Sequence, residues 1–318
     1  MPRSDEADLL DRVCLPSLRA AQNQDGGWGF REDSRSRVEP TAWALLALRG
    51  VESSQEMQRT GFKFLRSSQL PDGSWPASPG QQEGCWVTSL ACWALSGDSD
   101  SRKAIGAALA WICADWPRDV HVVIRMIRKF TAPQRIISQN ESLRGWGWTP
   151  RTASWVEPSA FALLALEQAP RVLLPRTAEK RRELATALIH DRMCPGGGWN
   201  CGNPMVYGVP GEALVEPTVW ALVALRCQPD RAENAASLAW LRANVSGISG
   251  PGSLALARIC LELYGAEWPK TAPNLAEVYV ANAILGNVMV MAWLCMALGQ
   301  RTEWLKSGAG LAKTNADS

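Results

Sequence analysis

Two kinds of apolar segment alternate along the chain. One kind is apolar at nearly every position, as in VEPTAWALLAL (Val38–Leu48), VEPSAFALLAL (Val156–Leu166) and VEPTVWALVAL (Val215–Leu225). The other kind has apolar residues at every third or fourth position, as in Gln55–Ser68, Arg102–Ala114, Thr177–Met193 and Ala232–Asn244. The second spacing gives an α-helix one apolar stripe, whereas a helix that is apolar all round is buried on every face. The pattern therefore predicts buried helices that alternate with amphipathic ones.

The buried helices recur along the whole chain. Their last leucines are Leu48, Leu95, Leu166, Leu225, Leu263 and Leu298. The interval from Leu95 to Leu166 has room for a further degenerate copy, which we place at His121–Phe130, and we place an insertion at Cys201–Leu214. No segment alternates with a two-residue period, so the sequence predicts no β-strand.

Repeats of this size bury their apolar faces only by stacking on one another. Two concentric rings satisfy both helix types, with the apolar helices inside, the amphipathic helices outside, and every inner helix beginning at the same rim. We predict an all-α fold, a single α/α toroid of the α6/α6 barrel type with six or seven helix pairs. It takes in residues 1–318, with a disordered tail from about residue 306.

Composition and charge exclude several classes of function. The 318 residues are 47% hydrophobic with a net charge of +2, and scattered lysines and arginines argue against a nucleic-acid partner. The most apolar long stretch, Val278–Leu298, contains polar residues and predicts a buried helix pair rather than a membrane span. With no signal-like N-terminus, a cytoplasmic protein is expected, free or peripheral to a membrane.

Cysteine and histidine usage offers no metal site. Nine cysteines without close pairing predict reduced core thiols, and the two histidines lie in contexts that do not suit zinc. We therefore expect neither a metal nor a cofactor.

A Gly/Trp turn precedes several of the apolar helices. In FLRSSQLPDGSW (Phe64–Trp75) and LRAAQNQDGGW (Leu18–Trp28), an outer helix ends, a glutamine follows, and an Asp-Gly turn leads to a tryptophan. Glycine at such a turn is free to adopt positive φ, and the tryptophan packs on helix ends. We predict that Trp28, Trp75 and Trp146 staple neighbouring helices together rather than contact a ligand.

These segments resemble the QW repeats of squalene and oxidosqualene cyclases. The layout is similar, over roughly the whole chain, to the superfamily of terpenoid cyclases and protein prenyltransferase β-subunits. The resemblance implies a central apolar cavity for an isoprenoid or other apolar small molecule. It also implies a second domain or partner chain that closes the cavity, as several members of that superfamily need.

Three glutamates, Glu39, Glu157 and Glu216, begin equivalent apolar helices at or just before the N-cap. One interpretation is structural, because a carboxylate at a helix N-terminus interacts favourably with the helix dipole. The other follows from the shared rim. Carboxylates grouped around an apolar mouth are driven towards the protonated form by desolvation and mutual repulsion, and a protonated acid starts the cyclisation of an olefin.

Class II terpene cyclases carry a D-x-D-D-T-A element at an inner-helix start, with the middle aspartate as proton donor. Laid over RVEPTA, Glu39 matches that aspartate, while Arg37 and Pro40 replace its neighbours. Arg37 is expected to favour the ionised form of Glu39, whereas the immediate neighbours of Glu157 are apolar. The class I DDxxD motif and the prenyltransferase zinc triad have no match in this sequence.

Candidate substrate contacts come from the inner-type helices and one loop. Aromatic faces stabilise carbocations, and the residues of this kind are Trp43, Trp86, Trp93, Phe161, Trp220 and Trp293. The loop Gly196–Pro210 offers Asn203 and Tyr207 as polar contacts. Plain core packing of the aromatics and a plain loop insertion are the alternative interpretations.

We predict a terpene cyclase-like protein that binds an isoprenoid and, if it is an enzyme, acts as a class II isomerase or lyase. Glu157, Glu216 or Glu39 is the acid. One alternative is a non-catalytic toroid scaffold that binds a lipid, a peptide or a partner chain. Another is a carbohydrate-active α/α barrel, which needs two carboxylates about 5–10 Å apart across a polar cleft.

Overall fold

The computed structural model describes residues 6–117, 139–206, 208–282, 286–299 and 305. The copy predicted at His121–Phe130 and the predicted tail from about residue 306 lie outside these residues. The α-helices of the described part are α1 (Leu15–Ala20, continuing a π-helical segment at Leu9–Cys14), α2 (Val38–Leu48), α3 (Gln55–Ser67), α4 (Val87–Leu95), α5 (Arg102–Ala114), α6 (Val156–Gln168), α7 (Ala178–Asp191), α8 (Val215–Leu225), α9 (Ala232–Asn244), α10 (Pro251–Leu263), α11 (Leu275–Asn282) and α12 (Val288–Leu298).

The even-numbered helices form a closed inner ring. Going round it, α2 packs on α4, α4 on α6, α6 on α8, α8 on α10, α10 on α12, and α12 on α2 again. The odd-numbered helices lie outside; α3, for example, packs on α2 and α4, and α9 packs on α8 and α10. The predicted all-α toroid is confirmed, with six inner helices among the described residues. Because α4 contacts α6 directly, the ring closes without a further inner helix between them.

Burial separates the two rings as the apolar pattern predicts. Helix α2 buries every residue from Pro40 to Leu48, whereas the outer helix α3 buries only Gly61, Phe62 and Leu65. The sequence predicted a buried helix pair at Val278–Leu298, and this prediction is right for one of the two helices. Helix α12 is buried, but α11 is an outer helix that leaves Val280 76% exposed, because an apolar composition does not say which face meets the core. No helix among the described residues is long and apolar enough to cross a membrane.

Backbone hydrogen bonds show that the inner helices begin at one rim. Trp86, at the start of α4, donates its N–H to the carbonyl of Trp148, in the loop before α6. Val156, the first residue of α6, donates in the same way to Cys201, in the loop before α8. Each bond joins the start of one inner helix to the loop that leads into its neighbour, so the helix starts lie side by side.

Four buried tryptophans tie the rings together. The indole Nε1 of each donates to a carbonyl of an outer helix, and its backbone N–H donates to a hydroxyl in the first turn of an inner helix. The indole pairs are Trp28–Leu18, Trp75–Leu65, Trp146–Ile112 and Trp199–Ile189, and the hydroxyl pairs are Trp28–Thr41, Trp75–Thr88, Trp146–Ser159 and Trp199–Thr218. The stapling contacts predicted at Trp28, Trp75 and Trp146 are present, and Trp199 adds a fourth.

The predicted insertion lies between Trp199 and α8. Trp199 and its hydroxyl partner are 19 positions apart, against 13 in the other three copies. The extra residues contain two short antiparallel strands, β1 (Met205–Val206) and β2 (Val209–Pro210). The prediction of no strand was wrong here, because a two-residue strand is too short to show alternation.

Replacing Trp28 by phenylalanine is expected to lower the free energy of unfolding by about 1–3 kcal/mol. The indole donates to the Leu18 carbonyl at 2.7 Å in a fully buried setting, and phenylalanine removes that donor. Urea unfolding followed by circular dichroism measures the loss. Trp240→Phe, at a half-buried position on the outer helix α9, is the matched control and should cost much less. Equal losses in the two variants would contradict the stapling role.

Candidate functional site

Five aromatic side chains meet on the axis of the inner ring. Trp43 of α2 is 1% exposed and contacts a ring from each of four other inner helices. The distances between ring centroids are 5.9 Å to Trp93, 6.0 Å to Phe161, 4.9 Å to Trp220 and 5.7 Å to Trp293. We call these five residues the aromatic plug. At the level of these five residues, the axis of the ring was expected to hold a central cavity. It is filled instead by side chains that were expected to line that cavity.

The three glutamates lie above the plug. Glu39, Glu157 and Glu216 each precede a plug residue by four positions on the same helix, namely Trp43, Phe161 and Trp220. Residues four apart share one helix face, and side chains tilt towards the helix N-terminus. Since the plug residues face the axis, the carboxyl groups face it too, nearer the rim. The three glutamates, Trp86 and Ser253 together are named the mouth.

The glutamates start the helices differently from the prediction. Each is the second residue of its helix, and the N-caps are Arg37, Trp155 and Leu214, all with extended backbone. The helix begins at the preceding valine because the hydroxyl residue at its fourth position already donates its N–H to the N-cap carbonyl, as Thr41 does to Arg37. The proline then occupies the third position, where a missing N–H costs nothing.

Glu39 is half-buried, and burial raises its pKa from 4.5 to about 7. Burial thus outweighs the helix dipole, which favours the ionised form. Arg37 was expected to favour the ionised form of Glu39, but its guanidinium forms no ion pair with that carboxyl group. The Arg37 guanidinium instead donates to Ser78 Oγ and lies 5.9 Å from the centre of the Phe30 ring. The sequence places Arg37 two residues from Glu39, but the extended N-cap backbone directs its side chain elsewhere.

Glu157 is also half-buried, and its pKa is raised from 4.5 to about 7, first by burial and then by the charge of Glu216. Glu216 accepts a hydrogen bond from the hydroxyl of Ser253 on α10. Among the described residues, neither Glu157 nor Glu39 accepts a hydrogen bond or pairs with a cation. The mouth therefore holds two carboxyl groups that are partly protonated near neutral pH.

Trp86 is equivalent in position to the glutamates that begin three other inner helices. The equivalence follows from Thr88, two residues later, which accepts the backbone N–H of Trp75 as Thr41 accepts that of Trp28. The half-buried Trp86 ring stacks on Phe161 with centroids 5.4 Å apart and meets the edge of Trp148 at 5.1 Å. Sequence reasoning missed Trp148, although the second tryptophan of LRGWGWTP was a signal for it, and it missed Ser253 altogether.

The remaining candidates are not among the five residues of the mouth or lie outside the described residues. Trp93 is fully buried within the plug. Asn203 is exposed, and its amide oxygen accepts a hydrogen bond from Gln139. Tyr207 lies outside the described residues. No cluster of three or more potential metal ligands occurs in the part of the chain that the structure describes.

No known protein-family model matches the chain. In sequence it is 24% identical over 250 residues to drimenyl diphosphate synthase from Streptomyces showdoensis, a match that covers 66% of this chain and 45% of that enzyme. It is 32% identical over 78 residues to human (Homo sapiens) lanosterol synthase, which covers 21% of this chain and 10% of that enzyme. The chain thus spans less than half the length of the curated relatives it matches.

Solved structures with the same fold come from several kinds of protein. A protein from Actinoplanes has a TM-score of 0.60 at 14% identity, covering 95% of this chain and 100% of that one. The α-1,6-mannanase GH76A of Salegentibacter sp. HEL1_6 has a TM-score of 0.59 at 9% identity, covering 94% and 99%. Protein geranylgeranyltransferase-I of Candida albicans has a TM-score of 0.55 at 11% identity, covering 96% and 93%.

The chain has a terpenoid cyclase-like α/α toroid fold. The likeness to the mannanase and to the prenyltransferase concerns the fold alone.

The raised pKa values of Glu39 and Glu157 predict how stability changes with pH. Both values lie above 4.5 in the folded protein, so ionisation opposes folding. The contribution of these two groups to the free energy of unfolding should be greatest below pH 4.5 and should be lost as pH rises through about 7. In the Glu39→Gln/Glu157→Gln double variant this loss should shrink, so that the variant melts higher than the wild type above pH 7. Calorimetry across this range tests the point, and parallel curves for the two proteins would contradict it.

Proposed function

We propose that this chain binds an isoprenoid in the mouth and starts its cyclisation or isomerisation by protonation. The observation that carries the proposal is that Glu157, with its raised pKa, precedes Phe161 of the plug by one helical turn, and that the Trp86 ring stacks on Phe161. Sequence similarity to drimenyl diphosphate synthase and lanosterol synthase supports the substrate class. Glu39, which has the same raised pKa, is the second candidate acid, and Glu216 is the third.

In the proposed step, the Glu157 carboxyl group gives its proton to one carbon of the double bond in the last isoprene unit of the substrate. The O–H bond breaks, the π electrons form the new C–H bond, and positive charge develops on the other alkene carbon. Trp86 and Phe161 present ring faces that stabilise this charge. A second double bond then attacks the cation to close a ring, and loss of a proton to a base ends the reaction. Solvent returns a proton to Glu157, and no cofactor or metal is needed.

A carbocation must be shielded from water, so the proposal includes a second domain or partner chain that covers the mouth. The chain matches only 45% of the length of drimenyl diphosphate synthase, which leaves room for such a cover. The loop residues Asn203 and Tyr207 are retained as proposed polar contacts to the substrate.

One observation favours a second candidate function. The aromatic plug fills the axis of the ring, as expected of a non-catalytic scaffold that binds a lipid, a peptide or a partner chain at its rim. A carbohydrate-active barrel remains a third hypothesis, supported by the mannanase fold alone. These alternatives predict no isoprenoid product.

The test is to incubate the purified protein with prenyl alcohols, prenyl diphosphates and squalene, and to analyse the extracts by gas chromatography and mass spectrometry. The proposal expects a cyclised or isomerised product from at least one of them, lost in the Glu39→Gln/Glu157→Gln double variant. The same assay with an α-1,6-linked mannan tests the carbohydrate hypothesis. No isoprenoid product from any compound, with or without added lipid vesicles, would support the scaffold.

A further inference from the structure

Helix α10 contributes a hydrogen-bond donor to the mouth, where three other inner helices contribute acids. Its second residue is Gly252, and a Cβ atom there would lie 3.1 Å from the Trp293 ring, so the plug leaves little room for a side chain. The next residue, Ser253, is half-buried and donates its hydroxyl to Oε1 of Glu216 on α8. The start of α10 therefore acts on Glu216 rather than on a ligand directly.

The charges that face Glu157 are few. Glu216 comes from α8, and Cys201 comes from the loop before α8, where burial and then the charge of Glu157 raise the pKa of the thiol. The neighbouring helix α4 presents the uncharged Trp86. Among the described residues, no lysine or arginine pairs with Glu157 or Glu216. The two carboxyl groups therefore repel one another without a neutralising cation.

Two nearby carboxyl groups without a cation favour holding one proton between them. Which group keeps it depends on their hydrogen bonds, because a hydroxyl donates more strongly to a charged acceptor than to a neutral one. Ser253 donates to Glu216, whereas Glu157 accepts no hydrogen bond from a described residue.

We infer that Ser253 is a positioning residue that holds Glu216 as the charged member of a dyad, so that the proton resides on Glu157. This inference rests on the proposed function, in which Glu157 is the acid, and it assigns different roles to two residues of equivalent position. Glu216 is then the charged partner rather than the proton donor.

The test is a carboxyl titration of the protein without substrate, by ¹³C NMR with labelled glutamate, in the wild type and in the Glu216→Gln, Ser253→Ala and Ser253→Thr variants. Glu216→Gln should lower the titration midpoint of Glu157, leaving the part due to burial. Ser253→Ala should lower the Glu157 midpoint, and Ser253→Thr, which keeps the hydroxyl, should restore it. Ser78→Ala, at another rim serine, should leave Glu157 unchanged.

An unchanged Glu157 midpoint in Glu216→Gln would overturn the dyad, and an unchanged midpoint in Ser253→Ala would overturn the role of Ser253. If Ser253→Ala does not fold, Glu216→Gln alone decides, since an unchanged midpoint in that variant is enough to reject the coupling. The titration needs no substrate, so the dyad can be present in a protein that makes no product. Conversely, turnover with unchanged midpoints would reject the dyad and leave the proposed function standing.

Discussion

Replacing Trp43 by alanine is expected to lower the free energy of unfolding by about 3–5 kcal/mol, the cost of removing a large buried aromatic side chain. Trp43 is 1% exposed and touches rings from four other inner helices, so its loss opens a cavity that no single neighbour can fill. Chemical denaturation of the wild type and the variant measures the difference.

Two controls separate the plug from an ordinary core position. Trp43→Phe keeps an aromatic ring on the axis and should cost less than Trp43→Ala. Free indole should raise the melting temperature of the alanine variant and leave the wild type unchanged, because a ligand that fills the new apolar cavity binds only the folded state. A loss below about 1 kcal/mol in Trp43→Ala, the range of a surface substitution, would show that the axis is not filled as described.

Replacing Glu157 by glutamine is expected to reduce product formation by roughly 10²–10⁴-fold, the usual contribution of a general acid. Glutamine keeps the size of the side chain and its helix position but has no proton to give to an alkene. Turnover of whichever isoprenoid the protein accepts, measured under saturating substrate, gives the ratio. Binding of the same isoprenoid should change little.

The matched control is Glu179→Gln. Glu179 is also the second residue of a helix, α7, but that helix is an outer one and the side chain is exposed beside Arg182. It should leave turnover unchanged. If Glu39→Gln reduces turnover and Glu157→Gln does not, the acid is Glu39 and its assignment to Glu157 is wrong.

The architecture could be predicted from the sequence because the spacing of apolar residues in each helix indicates whether that helix is buried on one face or on all faces. Bounds such as Val38–Leu48, Arg102–Ala114 and Val215–Leu225 agree with the structure, since proline, glycine and turn residues mark both ends. The ring followed from alternation alone, because a helix apolar on all faces has to be surrounded.

The site was less predictable because it depends on neighbours that are distant in the sequence. The apolar pattern places Trp43 on a buried helix but does not say which face of the helix it occupies. Only the structure shows that its side chain reaches those of Phe161 and Trp220 across the axis. Ser253 lies 37 positions from Glu216, and nothing in its own segment marks it as a partner. The direction of Arg37 depends on one extended backbone residue, which residue type does not determine.

The most direct test of the account is to run the isoprenoid incubations in D₂O. Protonation by Glu157, whose proton exchanges with solvent, predicts a product that carries one non-exchangeable deuterium on the carbon that was protonated. A product without solvent deuterium would contradict the account, and so would a labelled product that forms equally well with the Glu39→Gln/Glu157→Gln double variant.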